Sequence, residues 1–274
     1  MKNSNKKILT VQDISCVGQC SLTVALPVIS ACGVECAILP SAVLSTHTAG
    51  FTGFTFRDFS NDFPAIIEHW KKEDIKFDAL YTGYLGSIYQ INMVKEMFSL
   101  LKPNGLKIID PAMGDKGKLY PLFDEAYAKA MAELVSISDY TMPNVTEAAF
   151  MTGIEYKENY DEAYIKTLVE ALLSDGTKNV ILTDVSYDSE HTGVVIASKE
   201  NYTYYRHEKS GEGYHGTGDI FSSVFVGMLT RGLSAEDSAK RGADFVCNCI
   251  KNTNGDNNHW YGVKFEPLLG TLSV

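Results

Sequence analysis

The sequence has no apolar run long enough to cross a membrane and no secretory signal core. A membrane-spanning helix takes roughly 20 consecutive apolar residues, and no uninterrupted run approaches that length. The polar and basic residues 1–7 are not followed by a signal core, since Ile8, Leu9 and Val11 are better explained as a first buried strand. We therefore expect a cytosolic protein with no membrane association.

Positive charge is scarce. The chain carries 24 Lys and Arg against 34 Asp and Glu, a net charge of −10. Nucleic-acid binding needs a basic stripe, so this balance argues against it. A nucleotide ligand stays open, because helix ends, single lysines and metal ions hold small phosphates whatever the overall charge. An apolar content of 45% with 21% charged residues is typical of a globular protein.

The sequence also lacks paired metal-binding cysteines. Its six cysteines include two pairs spaced by four residues, Cys16 with Cys20 and Cys32 with Cys36, which is compatible with one helical face each. No CxxC pair or ordered histidine partner accompanies them, so zinc is not indicated. In a cytosolic chain of this size we expect reduced thiols.

Two nucleotide-binding signatures are missing. No GxxxxGK[ST] motif occurs, since Leu119 follows the lysine of the superficially similar segment 114–118. The protein-kinase motif set is absent as well. The sequence therefore argues against a P-loop kinase and against a protein kinase.

Apolar runs alternate with amphipathic runs along the chain. Strands are predicted at 7–11, from 37, and at 77–81, 106–109, 140–142, 180–182, 193–197 and 202–205. Helices are predicted at 22–31, around 66–70, and at 91–101, 219–231 and 235–250. This alternation predicts an α/β fold, a three-layer αβα sandwich with a mostly parallel central sheet.

We expect one domain over residues 1–274, since no linker, repeat or low-complexity segment interrupts the pattern. Residues 41–59 are rich in Thr, Phe and Gly without a helical period, and we expect them to form a small flap outside the main layers. Ligands of such sheets bind beyond the carboxyl ends of the strands. The polar residues at predicted strand ends should therefore line one rim: Asp13, Thr82, Asp110, Asn144 and Thr183.

The strongest local signal is the sequence Gly-Thr-Gly-Asp at 216–219, followed by a helical apolar pattern. Glycines let backbone N–H groups turn toward a ligand, and a helix N-terminus adds partial positive charge. Together they predict an anion hole for a phosphoryl group, with Asp219 placed to accept a proton from an attacking hydroxyl.

Two other interpretations of this segment stay open. Gly211-x-Gly213-x-x-Gly216 matches the dinucleotide fingerprint, but a second helix follows where that fingerprint requires a strand ending in an acidic residue. The plainer interpretation is a glycine-rich turn that caps a helix, with Asp219 as an ordinary first-turn acid.

Acidic residues follow two other strands. Asp110 and Asp115 lie in Asp-Pro-Ala-Met-Gly-Asp-Lys at 110–116, and Asn144 stands three residues before Glu147. Hard oxygen ligands at strand ends suit a magnesium ion that bridges nucleotide phosphates. Alternatively, the Asn144–Glu147 spacing is only a capping box, and Asp110 only ends a strand before a proline.

These motifs resemble those of a known family. The segment 216–219 is similar to the signature of ribokinase-like kinases, and 144–147 resembles their NxxE magnesium motif. Segments 11–12, 45–48, 82–87 and 110–116 resemble pyridoxal kinases more narrowly, in that family's order. The resemblance implies a ribokinase-like fold and ATP-dependent phosphorylation of the 5′-hydroxyl of pyridoxal, pyridoxamine or pyridoxine. It also implies Mg²⁺, leaves room for a monovalent cation such as K⁺, and implies a homodimer.

The resemblance also implies roles for matching residues. Asp219 would be the general base. The anion hole would be formed by Gly216, Thr217 and Gly218. Magnesium would be bound by Asp110 and Glu147. The nucleotide phosphates would lie near Asp115, Asn144, Thr183 and Thr217, and Tyr120 would be a nucleotide-side tyrosine. The vitamin ring would be held by Asp13, Thr48 and Tyr84.

One residue departs from the family pattern. Many pyridoxal kinases carry serine where this chain has Asp13, at the position that the resemblance places against the pyridine ring. Asp13 could pair with a protonated ring nitrogen or with the 4′-amine of pyridoxamine, or could bond only to nearby backbone. His47 and the aromatic residues of the flap could cover the substrate, or pack against the protein body or a dimer mate.

Three rival functions stay in view. A hydroxymethylpyrimidine kinase shares the fold and the glycine loop, but its glycine-rich segment after the first strand differs from residues 13–18 here. A sugar kinase is a weaker rival. A non-catalytic vitamin or nucleotide binder would have no need of a base at position 219.

Overall fold

One nine-stranded sheet forms the centre of the computed structural model, which describes residues 6–209 and 214–273. The strands are β1 (Lys7–Val17), β2 (Glu35–Thr46), β3 (Phe56–Asp58), β4 (Phe77–Thr82), β5 (Leu101–Ile109), β6 (Gly114–Asp115), β7 (Lys118–Leu119), β8 (Tyr140–Thr141), β9 (Asn179–Val185), β10 (His191–Ser198) and β11 (Tyr202–Glu208). The helices are α1 (Leu22–Ala31), α2 (Phe63–Lys72), α3 (Ile88–Met97), α4 (Glu125–Val135), α5 (Val145–Thr152), α6 (Glu162–Asp175), α7 (Thr217–Arg231) and α8 (Ala235–Thr253).

The sheet order is β11-β10-β9-β8-β5-β4-β1-β2-β3, and β6 pairs only with β7. The six strands from β9 to β2 in this order run parallel. The antiparallel pairs lie at the two edges, where β10 and β11 extend one side and β3 the other. The predicted mostly parallel sheet is confirmed, and the carboxyl ends of its central strands share one rim.

Helices cover both faces of the sheet. Successive strand residues point to opposite faces, and Ile8 and Leu9 accordingly belong to different cores. Leu9 packs in the core beneath α2 to α6, whereas Ile8 packs with residues of α1, α7 and α8. Burial on both faces explains why β1 begins as an almost continuous apolar run. The predicted three-layer αβα sandwich is confirmed.

The predicted helix at 91–101 ends too late. Helix α3 stops at Met97, a 3₁₀ turn covers Phe98–Leu100, and Leu101 already begins β5. Pro103 favours the extended backbone of Lys102 within β5, because a proline pushes the preceding residue out of the helical region.

The predicted flap at 41–59 lies only partly outside the main layers. Strand β2 continues to Thr46, and β3 pairs with it as the edge strand of the sheet. Ala42 and Leu44 are buried while Val43 between them is half-buried, which is the two-residue period of a strand. Only residues 47–55 leave the sheet.

The cysteine pairs do not share helical faces. Cys16 lies in β1 and Cys20 in the following loop, whereas Cys32 ends α1 and Cys36 lies in β2. All six thiols are free.

Across residues 6–209 and 214–273, no helix combines the length and apolar character that a membrane crossing needs.

Candidate active site

A glycine turn sets the start of α7 at the sheet rim. Gly216 precedes the helix with φ of 79°, and a Cβ at this position would overlap the carbonyl oxygen of Gln19. Only glycine combines this left-handed backbone with such a close approach. No described side chain caps the helix, so its first N–H groups are available to an anion, as predicted for Gly216, Thr217 and Gly218. The other two glycines of the fingerprint, Gly211 and Gly213, lie outside the described residues.

Asp219 lies in the first turn of α7 and is half-buried. The backbone N–H of Ser21 donates to its Oδ2 over 3.0 Å. Burial raises the pKa of Asp219 to about 7, the Ser21 N–H opposes that rise, and the charges of Asp110 and Asp13 add to it. A base is most effective when its pKa lies near the working pH. The electrostatics therefore suit the predicted proton-accepting role.

Asp13 is a second carboxylate near Asp219. It is buried in β1 and accepts a hydrogen bond of 3.1 Å from the Ser15 hydroxyl. Burial raises the pKa of Asp13, against the hydrogen bonds that its carboxylate accepts from nearby serines. Asp13 therefore has local hydrogen-bond partners in and beside β1.

Tyr84 belongs to the same neighbourhood. Its ring lies 5.4 Å from that of Phe123. Burial and, after it, the charge of Asp13 raise the pKa of Tyr84 to about 12. The phenol therefore stays protonated and can donate a hydrogen bond. Thr48, the third residue predicted to hold the ring, is exposed just beyond the end of β2.

Asp110 and Glu147 form a buried acidic pair. Asp110 accepts a 2.8 Å hydrogen bond from the hydroxyl of Ser222 in α7. Glu147 accepts backbone N–H groups with both oxygens, from Met113 at 3.0 Å and from Asn144 at 2.9 Å. Burial raises the pKa of both carboxyls, and the charge of Asp110 raises that of Glu147 further.

The predicted capping box at Asn144 is confirmed. The Asn144 side chain accepts the Glu147 N–H at 2.9 Å while Glu147 accepts the Asn144 N–H in return. The amide nitrogen of Asn144 also donates to the Gly114 carbonyl over 2.9 Å. Asn144 thus ties α5 to the loop that carries Asp115.

The acidic pair fits a magnesium ion. Two like charges buried side by side disfavour ionisation, and a divalent cation between them would remove that cost. No group of three or more His, Cys, Asp and Glu side chains that could hold a metal occurs in the described ranges. Magnesium suits such a sparse site, because it commonly takes one or two carboxylates and fills its shell with water and phosphate oxygens.

The predicted nucleotide-side residues lie around this pair. Asp115 precedes the tight turn between β6 and β7, where Lys116 and Gly117 both have positive φ. Thr183 bridges to Asn144 in parallel register. Tyr120 is 40% exposed, and burial raises its pKa, with contributions from Glu147 and Asp115.

Thr217 makes a more local contact, because its hydroxyl donates to the Tyr214 carbonyl over 3.1 Å. Thr82, the remaining predicted rim residue, is fully buried. Thr82 therefore offers a ligand no exposed surface, and the rim formed by Asp13, Asp110, Asn144 and Thr183 stays a prediction.

Two contacts were not predicted from the sequence. Ser21 orients Asp219 through its backbone N–H, and its own φ is 54°. Ser222 orients Asp110. A signal existed for Ser222, because residues three apart share a helix face and place it beside Asp219. None existed for Ser21, since any non-proline residue supplies an N–H.

The sheet, the glycine turn at a helix N-terminus and the carboxylate within it together define a small-molecule kinase of the ribokinase-like fold. The chain belongs to the family described as phosphomethylpyrimidine kinase, whose model matches residues 25–263. The predicted superfamily is thereby confirmed.

Solved structures of related kinases have the same fold as this chain. A protein of Bacteroides thetaiotaomicron, named provisionally as a phosphomethylpyrimidine kinase, is 35% identical, with a TM-score of 0.95 over 100% of this chain and 96% of its own. Its orthorhombic form was crystallised with pyridoxal. The pyridoxal kinase of Lactobacillus plantarum is 30% identical, with a TM-score of 0.91 over 98% and 97%. A pyridoxal kinase of Dictyostelium discoideum is 27% identical over 82% of this chain and 78% of its own.

Proposed function

We propose that this kinase transfers a phosphoryl group from ATP to the 5′-hydroxymethyl group of pyridoxal, pyridoxamine or pyridoxine. The observation that carries the proposal is the Asp219 carboxylate, fixed by the Ser21 N–H with a pKa of about 7 at the mouth of an anion hole. A non-catalytic binder would have no use for a base adjusted in this way.

The choice of a B6 vitamer as acceptor draws support from the comparisons and from Asp13. The Bacteroides relative was crystallised with pyridoxal, and the relatives from Lactobacillus plantarum and Dictyostelium discoideum are named pyridoxal kinases. A buried carboxylate next to the base would also complement the positive charge that a pyridine nitrogen or a 4′-amine can carry.

Catalysis by these residues would depend on positioning and charge. Asp13, Thr48 and Tyr84 would hold the ring so that its 5′-hydroxyl faces Asp219. The carboxylate would take the hydroxyl proton as the oxygen attacks. The N–H groups at the start of α7 would stabilise the negative charge on the transferring group.

The nucleotide would lie along the rim beside Asp115, Tyr120, Asn144, Thr183 and Thr217. Bound magnesium would neutralise charge on its phosphates. Asp110 and Glu147 would hold that ion, directly or through water, and the Ser222 hydroxyl would keep Asp110 oriented toward the rim. A monovalent cation and a homodimer remain predictions.

A substrate panel tests the proposal against the rival that the family description names. Wild-type protein with Mg-ATP is offered pyridoxal, pyridoxamine, pyridoxine, hydroxymethylpyrimidine and ribose, and the phosphorylated products are separated and quantified. We expect the highest kcat/KM for a B6 vitamer. A higher kcat/KM for hydroxymethylpyrimidine would overturn the choice of substrate. Binding without any product would overturn the proposed catalysis.

A further inference from the structure

The chain end after α8 contacts the flap. We call residues 47–51 the flap tip and residues 259–262 the C-terminal turn. His47 in the flap tip is 4% exposed, and its Nε2 lies 2.8 Å from the carbonyl oxygen of Tyr261. Its Nδ1 accepts the N–H of Ala49 at 3.2 Å. Nε2 therefore carries the proton, and both ring nitrogens are occupied by the protein itself.

An aromatic contact reinforces this hydrogen bond. The ring of Phe51 lies 4.7 Å from that of Trp260 and 6.4 Å from that of Tyr261. Gly50 approaches the Trp260 ring so closely that an added Cβ would lie 2.7 Å from it. The indole therefore covers the backbone and the neighbouring side chain of the flap tip together.

The C-terminal turn also reaches the anion-hole side of the site. Gln19 packs against Gly262 and donates through Nε2 to Glu266 over 2.7 Å. The carbonyl of the same Gln19 lies against Gly216. Next to Gly216, His215 has its ring 5.5 Å from that of His47. The flap tip, the glycine turn and the C-terminal turn thus form one connected set of contacts.

We propose that Trp260 is a positioning residue for the acceptor substrate: by packing on Phe51 and Gly50, it holds the flap tip, and with it Thr48, over the ring-binding side of the site. This inference rests on the proposed function, since the ring-binding side is defined by Asp13, Thr48 and Tyr84. Trp260 itself would touch neither ATP nor the reacting hydroxyl. Its effect should therefore appear in acceptor binding rather than in the chemical step.

The kinetic test compares Trp260→Ala, Trp260→Phe and Ile137→Ala with wild type. Ile137 is a matched control, because it is 46% exposed against 47% for Trp260 and lies ahead of β8, at the opposite end of the sheet from the rim. From the strength of aromatic pairs we expect Trp260→Ala to raise the acceptor KM by about three- to tenfold. The KM for ATP and kcat should change little, and Trp260→Phe should restore most of the loss.

A spectroscopic test is independent of turnover. The chain has two tryptophans. The other, Trp70, lies in α2, and its ring is 5.8 Å from that of Phe77. In a Trp70→Phe variant, Trp260 is the sole emitter. Titration with the preferred acceptor should change its emission and reduce its quenching by acrylamide, with a midpoint near the acceptor Kd.

A double-mutant cycle tests whether Trp260 and Phe51 act together on the acceptor KM. If Trp260 acts through Phe51, the Phe51→Ala and Trp260→Ala changes in acceptor KM should not add in the double variant. Fully additive effects, an unchanged acceptor KM in Trp260→Ala, or silent Trp260 emission at saturating acceptor would each overturn the inference. If the wild-type panel selects an acceptor other than a B6 vitamer, the proposed substrate fails, and the same three measurements with that acceptor still decide the role of Trp260.

Discussion

Ser21 and Asp219 lie 198 positions apart in the chain, yet the Ser21 N–H donates to the Asp219 carboxylate over 3.0 Å. The contact joins the loop after β1 to the first turn of α7. It fixes one oxygen of the carboxylate. Because the donor is a backbone group, side-chain substitution at Ser21 would preserve it, and Asp219 itself is the informative position to change.

Asp219→Asn should retain the fold and nucleotide binding while kcat falls by about 10²- to 10⁴-fold, the usual contribution of a general base. An amide still fits the site but cannot accept the hydroxyl proton. The control is Asp237→Asn, a first-turn acid of α8 at the other end of the α7–α8 pair. Near-normal turnover in Asp219→Asn would remove Asp219 from the base role.

Activity and stability should depend on pH with opposite signs. Since burial raises the pKa of Asp219 to about 7, kcat should fall as pH drops through that value, because the base becomes protonated. Between roughly pH 4 and 7 the folded state binds a proton at Asp219 that the unfolded state has lost, so this group's contribution to the free energy of unfolding falls as pH rises.

The pH prediction is checked by kcat profiles and by urea unfolding without nucleotide. Asp219→Asn should flatten the stability profile in that window, since its amide does not titrate. A wild-type kcat independent of pH between roughly 5 and 8, with chemistry rate-limiting, would contradict the assignment.

Glu147→Gln should raise the magnesium concentration needed for half-maximal activity more than it raises the KM of the acceptor. The amide removes the charge that would bind the cation, although its oxygen can still accept one of the two N–H groups that Glu147 binds, those of Met113 and Asn144. Magnesium titrations at saturating ATP provide the measurement, with Glu236→Gln in the first turn of α8 as the matched control. An unchanged magnesium requirement would leave Glu147 with a capping role alone.

Asp13→Ser should reduce a preference for pyridoxamine over pyridoxal. A carboxylate near the 4′ substituent would favour the ammonium of pyridoxamine, and the gain of a charge-assisted over a neutral hydrogen bond corresponds to about tenfold. The measurement is the ratio of kcat/KM for the two vitamers at one pH, in wild type and variant. If the ratio does not move, Asp13 does not recognise the 4′ substituent, and a uniform loss for all vitamers would point to the ring nitrogen instead.

The sequence predicted those parts of the site whose backbone conformation depends on residues close to each other in the chain. The capping box at Asn144 and the turn at Gly216 follow from residue types at fixed spacing. The extended backbone at Lys102 follows equally locally from the proline after it. The continuation of β2 to Thr46 was harder to predict, since pairing with β3 decides it.

Contacts between distant segments left no such pattern. Nothing in the spacing of residues relates Tyr261 to His47, because this contact depends on how whole elements pack. The same holds for the pKa of Asp219, which is raised by burial and by the carboxylates of Asp110 and Asp13. Residue type identified the candidate base, whereas only the packed structure accounts for its proton affinity.

The long separation between Ser21 and Asp219 has a consequence for synthesis of the protein. After β1 and the loop that follows it have left the ribosome, about 200 more residues must emerge before α7 can contact them. Synthesis proceeds at about 5–20 residues per second. The strands of the central sheet have been synthesised by then, but the glycine turn at Gly216 and the proposed base Asp219 are not yet in place. A ribosome-bound fragment can therefore contain most of the central sheet before it contains the residues proposed to transfer a phosphoryl group from ATP.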